Sequence, residues 1–139
     1  MTILVIDAQG GGIGRQLITS IKQNIEDATI LAVGTNSTAT TAMLKAGADE
    51  AATGENSVVA ACRKADIIVG PIGIVIADSM LGEITPKMAL SVAQSPAKRI
   101  LIPFNHCDNI IAGISDFSTK KLIQEAVQTI LDNPSQTLV

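Results

Sequence analysis

Apolar runs of strand length alternate with stretches of helical periodicity along the whole chain. Residues 3–7 are apolar up to Asp7 and end at a glycine cluster, as a strand buried on both faces does. Ile13, Leu17, Ile18, Ile21 and Ile25 then recur at spacings of three and four, which is one face of a helix. A second strand over residues 29–33 is stopped by Gly34. Ala39, Ala42, Met43 and Ala46 predict a short helix with Gly47 at its stop. Residues 48–53 hold a weak third strand, and Asn56 or Ser57 caps a helix running to about Lys64.

Residues 66–70 are the clearest strand after the first, and residues 99–103 form a fifth. Between them the apolar, glycine-punctuated stretch 71–79 fits neither period, and Thr85-Pro86 is a helix start, with threonine as cap and proline in the first turn. Residues 110–114 predict a sixth strand, and Ser118 opens a last helix with Leu122, Ile123, Ala126, Val127, Ile130 and Leu131 inward. Strand–helix alternation of this kind implies parallel strands joined by right-handed crossovers. The expected architecture is a doubly wound, mostly parallel, Rossmann-like three-layer sandwich of about five or six strands. One domain takes residues 1–132, and 133–139 form a polar tail.

Composition narrows the possible functions. With 47% hydrophobic and only 17% charged residues the chain is not disordered. Its longest apolar run is broken by glycine and proline, short of the ~20 residues a membrane helix needs. A net charge of −3, no Trp or Tyr and two Phe leave neither the basic stripe nor the stacking rings of a nucleic-acid binder. Two cysteines, Cys62 and Cys107, make neither a disulfide framework nor a metal site, and the first residues read as a strand rather than a signal peptide. A reduced, cytoplasmic protein is expected. The low charge also implies apolar surface shared between subunits of a homo-oligomer, in which the apolar stretch 72–81 docks a second copy or a partner.

Ligands on doubly wound sheets sit beyond the carboxyl ends of the strands, where the strand order reverses. After the first strand come Gly10, Gly11, Gly12, Ile13, Gly14 and Arg15. Glycines there bring backbone N–H groups close to a phosphate, and the opening helix adds its partial positive charge. The letters match neither G-x-G-x-x-G, which needs glycine at Arg15, nor a Walker A motif, which needs Lys and Ser or Thr after Gly14. A tight turn without a ligand is the simpler alternative. Thr35, Asn36 and Ser37 follow the second strand, where they can bond a ribose or phosphate or merely cap the next helix. The acid that holds an NAD ribose is absent there, so a nucleotide such as NADP is favoured over NAD.

Gly70, Pro71 and Gly73 either shelve a flat ligand or simply turn the chain. Glu83 and His106 are the candidate proton carriers, with a solvated loop carboxylate the simpler reading of Glu83, and Cys62 is a core residue. Cys107 and His106 are strand neighbours and point apart. Without tyrosine a Tyr-x-x-x-Lys dehydrogenase mechanism is excluded.

The segments Asp7-Ala-Gln-Gly-Gly-Gly-Ile-Gly14, Gly34-Thr-Asn36, Ala42-Met-Leu-Lys-Ala-Gly-Ala48, Thr53-Gly-Glu-Asn56, Gly70-Pro-Ile-Gly73 and Ser79-Met-Leu-Gly-Glu-Ile-Thr-Pro86 together resemble a small bacterial family of unknown function, domain of unknown function family 3842. The first motif of that family carries Gly where this chain has Ala8. The resemblance implies a Rossmann-like fold and supplies no activity. Its motifs fall at the strand ends found from periodicity. The expected function is to bind a phosphate-bearing small molecule, a nucleotide or dinucleotide, at the first glycine turn. The alternatives are a non-catalytic assembly module and, with less support, an enzyme using Glu83 or His106.

Overall fold

The computed structural model describes residues 1–103, 109–115 and 118–133. Five strands form one parallel sheet: β1 (Thr2–Asp7), β2 (Thr29–Gly34), β3 (Glu50–Thr53), β4 (Ile67–Pro71) and β5 (Lys98–Ile102), in the order β3-β2-β1-β4-β5. Five helices connect or follow them: α1 (Gly12–Asn24), α2 (Ser37–Lys45), α3 (Glu55–Cys62), α4 (Pro86–Gln94) and α5 (Thr119–Asp132). The architecture is the three-layer α/β sandwich that the strand–helix alternation implied.

Alternation along the strands divides the core between the two faces of the sheet. Ile3, Val5 and Ile67 face Leu17, Ile18 and Ile21 of α1, Met43 of α2 and Leu122, Ile123, Ala126, Val127 and Ile130 of α5, whereas Leu131, expected inward from the spacing, is exposed at the far end of that helix. Leu4, Ile6 and Ile68 face Val58 and Cys62 of α3 and Met88 and Val92 of α4. Central β1 and β4 are therefore apolar on both sides, which is why their sequences read as unbroken runs rather than alternating ones.

The helix starts follow local chemistry. Asn36 caps α2 by accepting from the Ala39 amide at 2.9 Å, and Thr85 caps α4 by accepting from the Met88 amide at 3.1 Å. The third helix corrects the sequence reading. Gly54 at φ 103 stands at its N-cap, so Asn56 and Ser57 fall inside its first turn, where Ser57 Oγ donates to the Thr53 carbonyl.

The sixth strand is a second correction. Residues 109–115 pair with nothing in the sheet, Ile110 is exposed, and Gly113 adopts φ 87, a left-handed conformation that turns the chain out of an extended path. Stretch 71–79, unassigned by periodicity, holds the end of β4, a short 3-10 turn (Ile72–Val75) and the start of an irregular strap over residues 76–84. No helix among the described residues is long and apolar enough to cross a membrane. His106, Cys107 and residues 134–139 of the polar tail lie outside the described residues.

Candidate functional site

Strand order reverses between β1 and β4. The chain leaves β1 toward α1 on one face and leaves β4 toward α4 on the other, and the two exits diverge over a crevice. A cavity of about 650 Å³ occupies that crevice. Asp7 and Ala8 form its floor, and Gly10, Gly11, Gly12, Ile13 and Gln16 form one wall. Opposite stand Pro71, Ile72 and Gly73 with the first half of the strap, including Met80 and Leu81. Asn109 and Thr119 complete the rim. The lining is largely aliphatic, and its ionisable side chains among the described residues are Asp7 and Asp78.

The glycines of the turn have different reasons to be glycine. Gly11 has φ 74, and a Cβ there would lie 2.8 Å from the Ala39 Cα. Gly14 packs against α2, where a Cβ would meet the Met43 sulfur at 2.5 Å. Both are required by the fold itself. Gly10 and Gly12 have neither a positive φ nor any atom within 4 Å of an added Cβ, yet both line the cavity. Their backbone N–H groups make no hydrogen bond among the described residues, whereas the Gly11 amide donates to the Ala8 carbonyl at 3.0 Å and the Arg15 amide to the Gly11 carbonyl at 2.9 Å.

Asp7 supplies the anion that the opening of α1 attracts. No side chain at the N-cap, Gly11, satisfies the helix start. Instead the Asp7 carboxylate accepts from the Gly14 amide at 2.7 Å and from the Ala8 amide at 2.8 Å. The group is only 4% exposed. Burial pushes its carboxyl above the ordinary value, against the opposing pull of the Gly14, Ala8 and Ile13 amides, and the nearby Glu83 charge adds to the rise. Part of the donor set expected to face a phosphate is therefore engaged by the protein.

Glu83 reaches across from the strap. Its Oε1 accepts from the Gln9 amide at 2.8 Å, the Thr35 hydroxyl at 2.6 Å and the Asn36 side-chain amide at 2.8 Å. Partial desolvation raises its carboxyl, but the Thr35, Gln9 and Asn36 hydrogen bonds outweigh this and hold it below the ordinary value. Thr35 and Asn36, read from sequence as ribose or phosphate contacts, thus bind a carboxylate of the same chain. The preference for NADP over NAD also loses its ground, since it rested on the lack of an acid after the second strand. Glu83, distant in sequence, provides one there.

Of the other expected site residues among those described, Ile13, Pro71 and Gly73 line the cavity and the rest do not. Arg15 and Ser37 line a shallow groove between α1 and α2 with Lys45, apart from the main cavity. Gly70 belongs to the sheet, where a Cβ would lie 2.5 Å from the Ile6 carbonyl oxygen. Gly73 admits the strap, since a Cβ there would meet the Met80 methyl at 2.8 Å. Cys62 is buried in the core, and burial lifts its thiol to about 11. The sequence reading passed over Asp7 and Gln9. Asp7 had a legible signal, an acid ending an otherwise apolar strand just before a glycine turn, while Gln9 acts through its backbone and its side-chain type carries no signal.

No curated protein matches this sequence. Among solved structures, the chain is similar to a dodecameric FMN-dependent UbiX-like decarboxylase from Escherichia coli O157:H7, at 16% identity and a TM-score of 0.45, over 94% of this chain and 76% of that one. It is also similar to AibC, at 16% identity and a TM-score of 0.51, over 99% of this chain and 44% of that one, so it spans less than half of AibC. Similarity at this identity reflects the fold. Residues 2–135 match the family model described as Domain of unknown function (DUF3842), and the chain belongs to that family.

Proposed function

We propose that the β1–β4 cavity binds a small phosphate-bearing ligand of mononucleotide size, with an oxyanion on the Gly10 and Gly12 amides and a flat or apolar part against Pro71, Ile72 and Met80. One observation carries this reading. Gly10 and Gly12 face the cavity with unengaged N–H groups, and nothing in the fold's own packing demands glycine at either position. Close approach of a ligand to the backbone accounts for both facts.

The volume of about 650 Å³ falls among ordinary small-molecule sites. No lysine or arginine lines the described part of the cavity, and Asp7 lies beneath it. That electrostatic setting favours one phosphate over a di- or triphosphate. While Glu83 holds its place at the end of β2, its charge also opposes a 2′-phosphate there.

Thermal shift and calorimetric titration with a nucleotide panel test the reading. The wild-type chain is expected to bind a nucleoside monophosphate. Gly12→Val is expected to fold, because an added Cβ there meets open space, and to lose about tenfold or more in affinity, because Gly12 lines the cavity. Absence of any response to phosphate ligands, or equal binding by Gly12→Val, removes the proposal.

A second reading draws on Leu81, 95% exposed at the cavity wall, and Ile110, 85% exposed next to the rim residue Asn109. Apolar groups so placed fit burial against a second copy of the chain. Light scattering across a dilution series decides it: a dimer or larger species supports this reading, and a monomer at all concentrations rejects it.

A further inference from the structure

We infer that the Gln9 amide, the Thr35 hydroxyl and the Asn36 side-chain amide form a seat for a small oxyanion, in which the Glu83 carboxylate is a displaceable resident. The inference deepens the reading above: the seat adjoins the ligand cavity through Gln9 and would receive a second anionic group, carboxylate or phosphate, of the same ligand.

The three donors converge without help from Glu83. Gln9 is held at φ 53, which aims its N–H at the seat. The Thr35 amide donates to the Asp7 carbonyl at 3.1 Å, tying Thr35 to the end of β1. Asn36 is fixed twice over: its Oδ1 accepts from the Ala39 amide, and its Nδ2 donates to the Gln9 carbonyl at 2.9 Å as well as to Glu83. Taking Glu83 away therefore leaves three preorganised donors around one vacant oxygen position. Such an arrangement binds an anion with little reorganisation.

Glu83, for its part, is held through a single oxygen. All three bonds converge on Oε1, and Oε2 accepts none among the described residues. The side chain is only partly buried, and it comes from an irregular strap. Three non-glycine residues of that strap, Asp78, Met80 and Leu81, have φ between 56 and 63, a costly conformation for such side chains. The strap's own anchors lie elsewhere. Ile84 is fully buried, the Asp78 amide donates to the Ile84 carbonyl at 2.7 Å, and Ser79 Oγ donates to the Gly73 carbonyl at 2.5 Å. Rotation of the Glu83 side chain into solvent vacates the seat and leaves these anchors intact.

Rescue by small anions tests the inference. Wild type, Glu83→Gln and Glu83→Ala are titrated with formate, acetate and inorganic phosphate at constant ionic strength, following the Gln9 amide resonance and the thermal midpoint. Glu83→Ala is expected to give a saturable Gln9 shift and a rise in midpoint. Wild type should need about tenfold more anion, as its own carboxylate competes, and Glu83→Gln should fall between. Adding Thr35→Val to Glu83→Ala is expected to weaken the response about tenfold.

Response to formate and acetate alone assigns a carboxylate, and a stronger response to phosphate assigns a phosphoryl group. The inference is overturned by the same response in wild type and Glu83→Ala, by no saturable response, or by indifference to Thr35→Val. Failure of Glu83→Ala to fold overturns it too, because Glu83 is then an obligatory strut. None of these arms uses a nucleotide or alters Gly12, so they fail or succeed independently of the nucleotide titration.

Discussion

At the level of single residues, the two carboxylates of the site respond to their surroundings in opposite directions. Burial raises Asp7, whereas three hydrogen bonds lower Glu83. A carboxyl lowered by folding contributes stability above its ordinary value, here 4.5, and loses it as pH falls through the lower folded value. Glu83→Gln is therefore expected to flatten the loss of thermal stability on acidification below about pH 4.5. Melting curves of both chains from pH 6 to about pH 3 check this. Identical acid limbs would show that the three hydrogen bonds do not favour the ionised form. Asp7 acts with the opposite sign: its contribution is present below the ordinary aspartate value and is lost as pH rises through the raised one. Replacing Glu83 leaves Asp7 in place, so the difference between the two curves isolates Glu83, apart from the smaller charge coupling between them.

Among the elements, the helices were the most legible, because a helix start is a local event. Thr85 followed by Pro86 marks α4 in the sequence, and the structure adds that Thr85 also donates to Glu55 at 2.6 Å, tying α4 to α3. Thr85→Ala is expected to cost about 1 kcal/mol through the lost cap, with Thr85→Ser nearly neutral, as measured by denaturant unfolding. Equal stability of all three chains would mean that water replaces the cap. The start of α3 was displaced for a similar local reason. Asn56 and Ser57 are good caps, but Gly54 provides the turn before them at φ 103, a conformation that letters alone do not report. Residues 110–114 misled because an apolar run resembles a strand whether or not a partner strand is present. Strand pairing is not local, and Gly113 already turns the chain there.

Over the whole molecule, the sheet gathers its apolar side chains into two cores, one on each face. Ile68 is fully buried on central strand β4, facing α3 and α4. Ile68→Ala is expected to destabilise the fold by about 2–5 kcal/mol, the usual range for removing a large aliphatic side chain from a packed core. Far-UV circular dichroism in urea is the suitable probe, because the chain has no Trp or Tyr. A loss under about 1 kcal/mol would mean that the layers collapse freely around the gap.

The sequence by itself determined the parallel α/β architecture, the strand–helix order and the position of the glycine turn after the first strand. These depend on period, on caps and on glycine, all of which act within a few residues. Tertiary structure decided the rest. It ended the sheet at five strands among the described residues, set Asp7 against the opening of α1, and separated Arg15 and Ser37 from the main cavity. It also carried Glu83 to Thr35 and Asn36, 48 and 47 positions away in the chain. Contacts at such separations depend on how strands stack and where a strap crosses them, and no periodicity in the sequence encodes that distance.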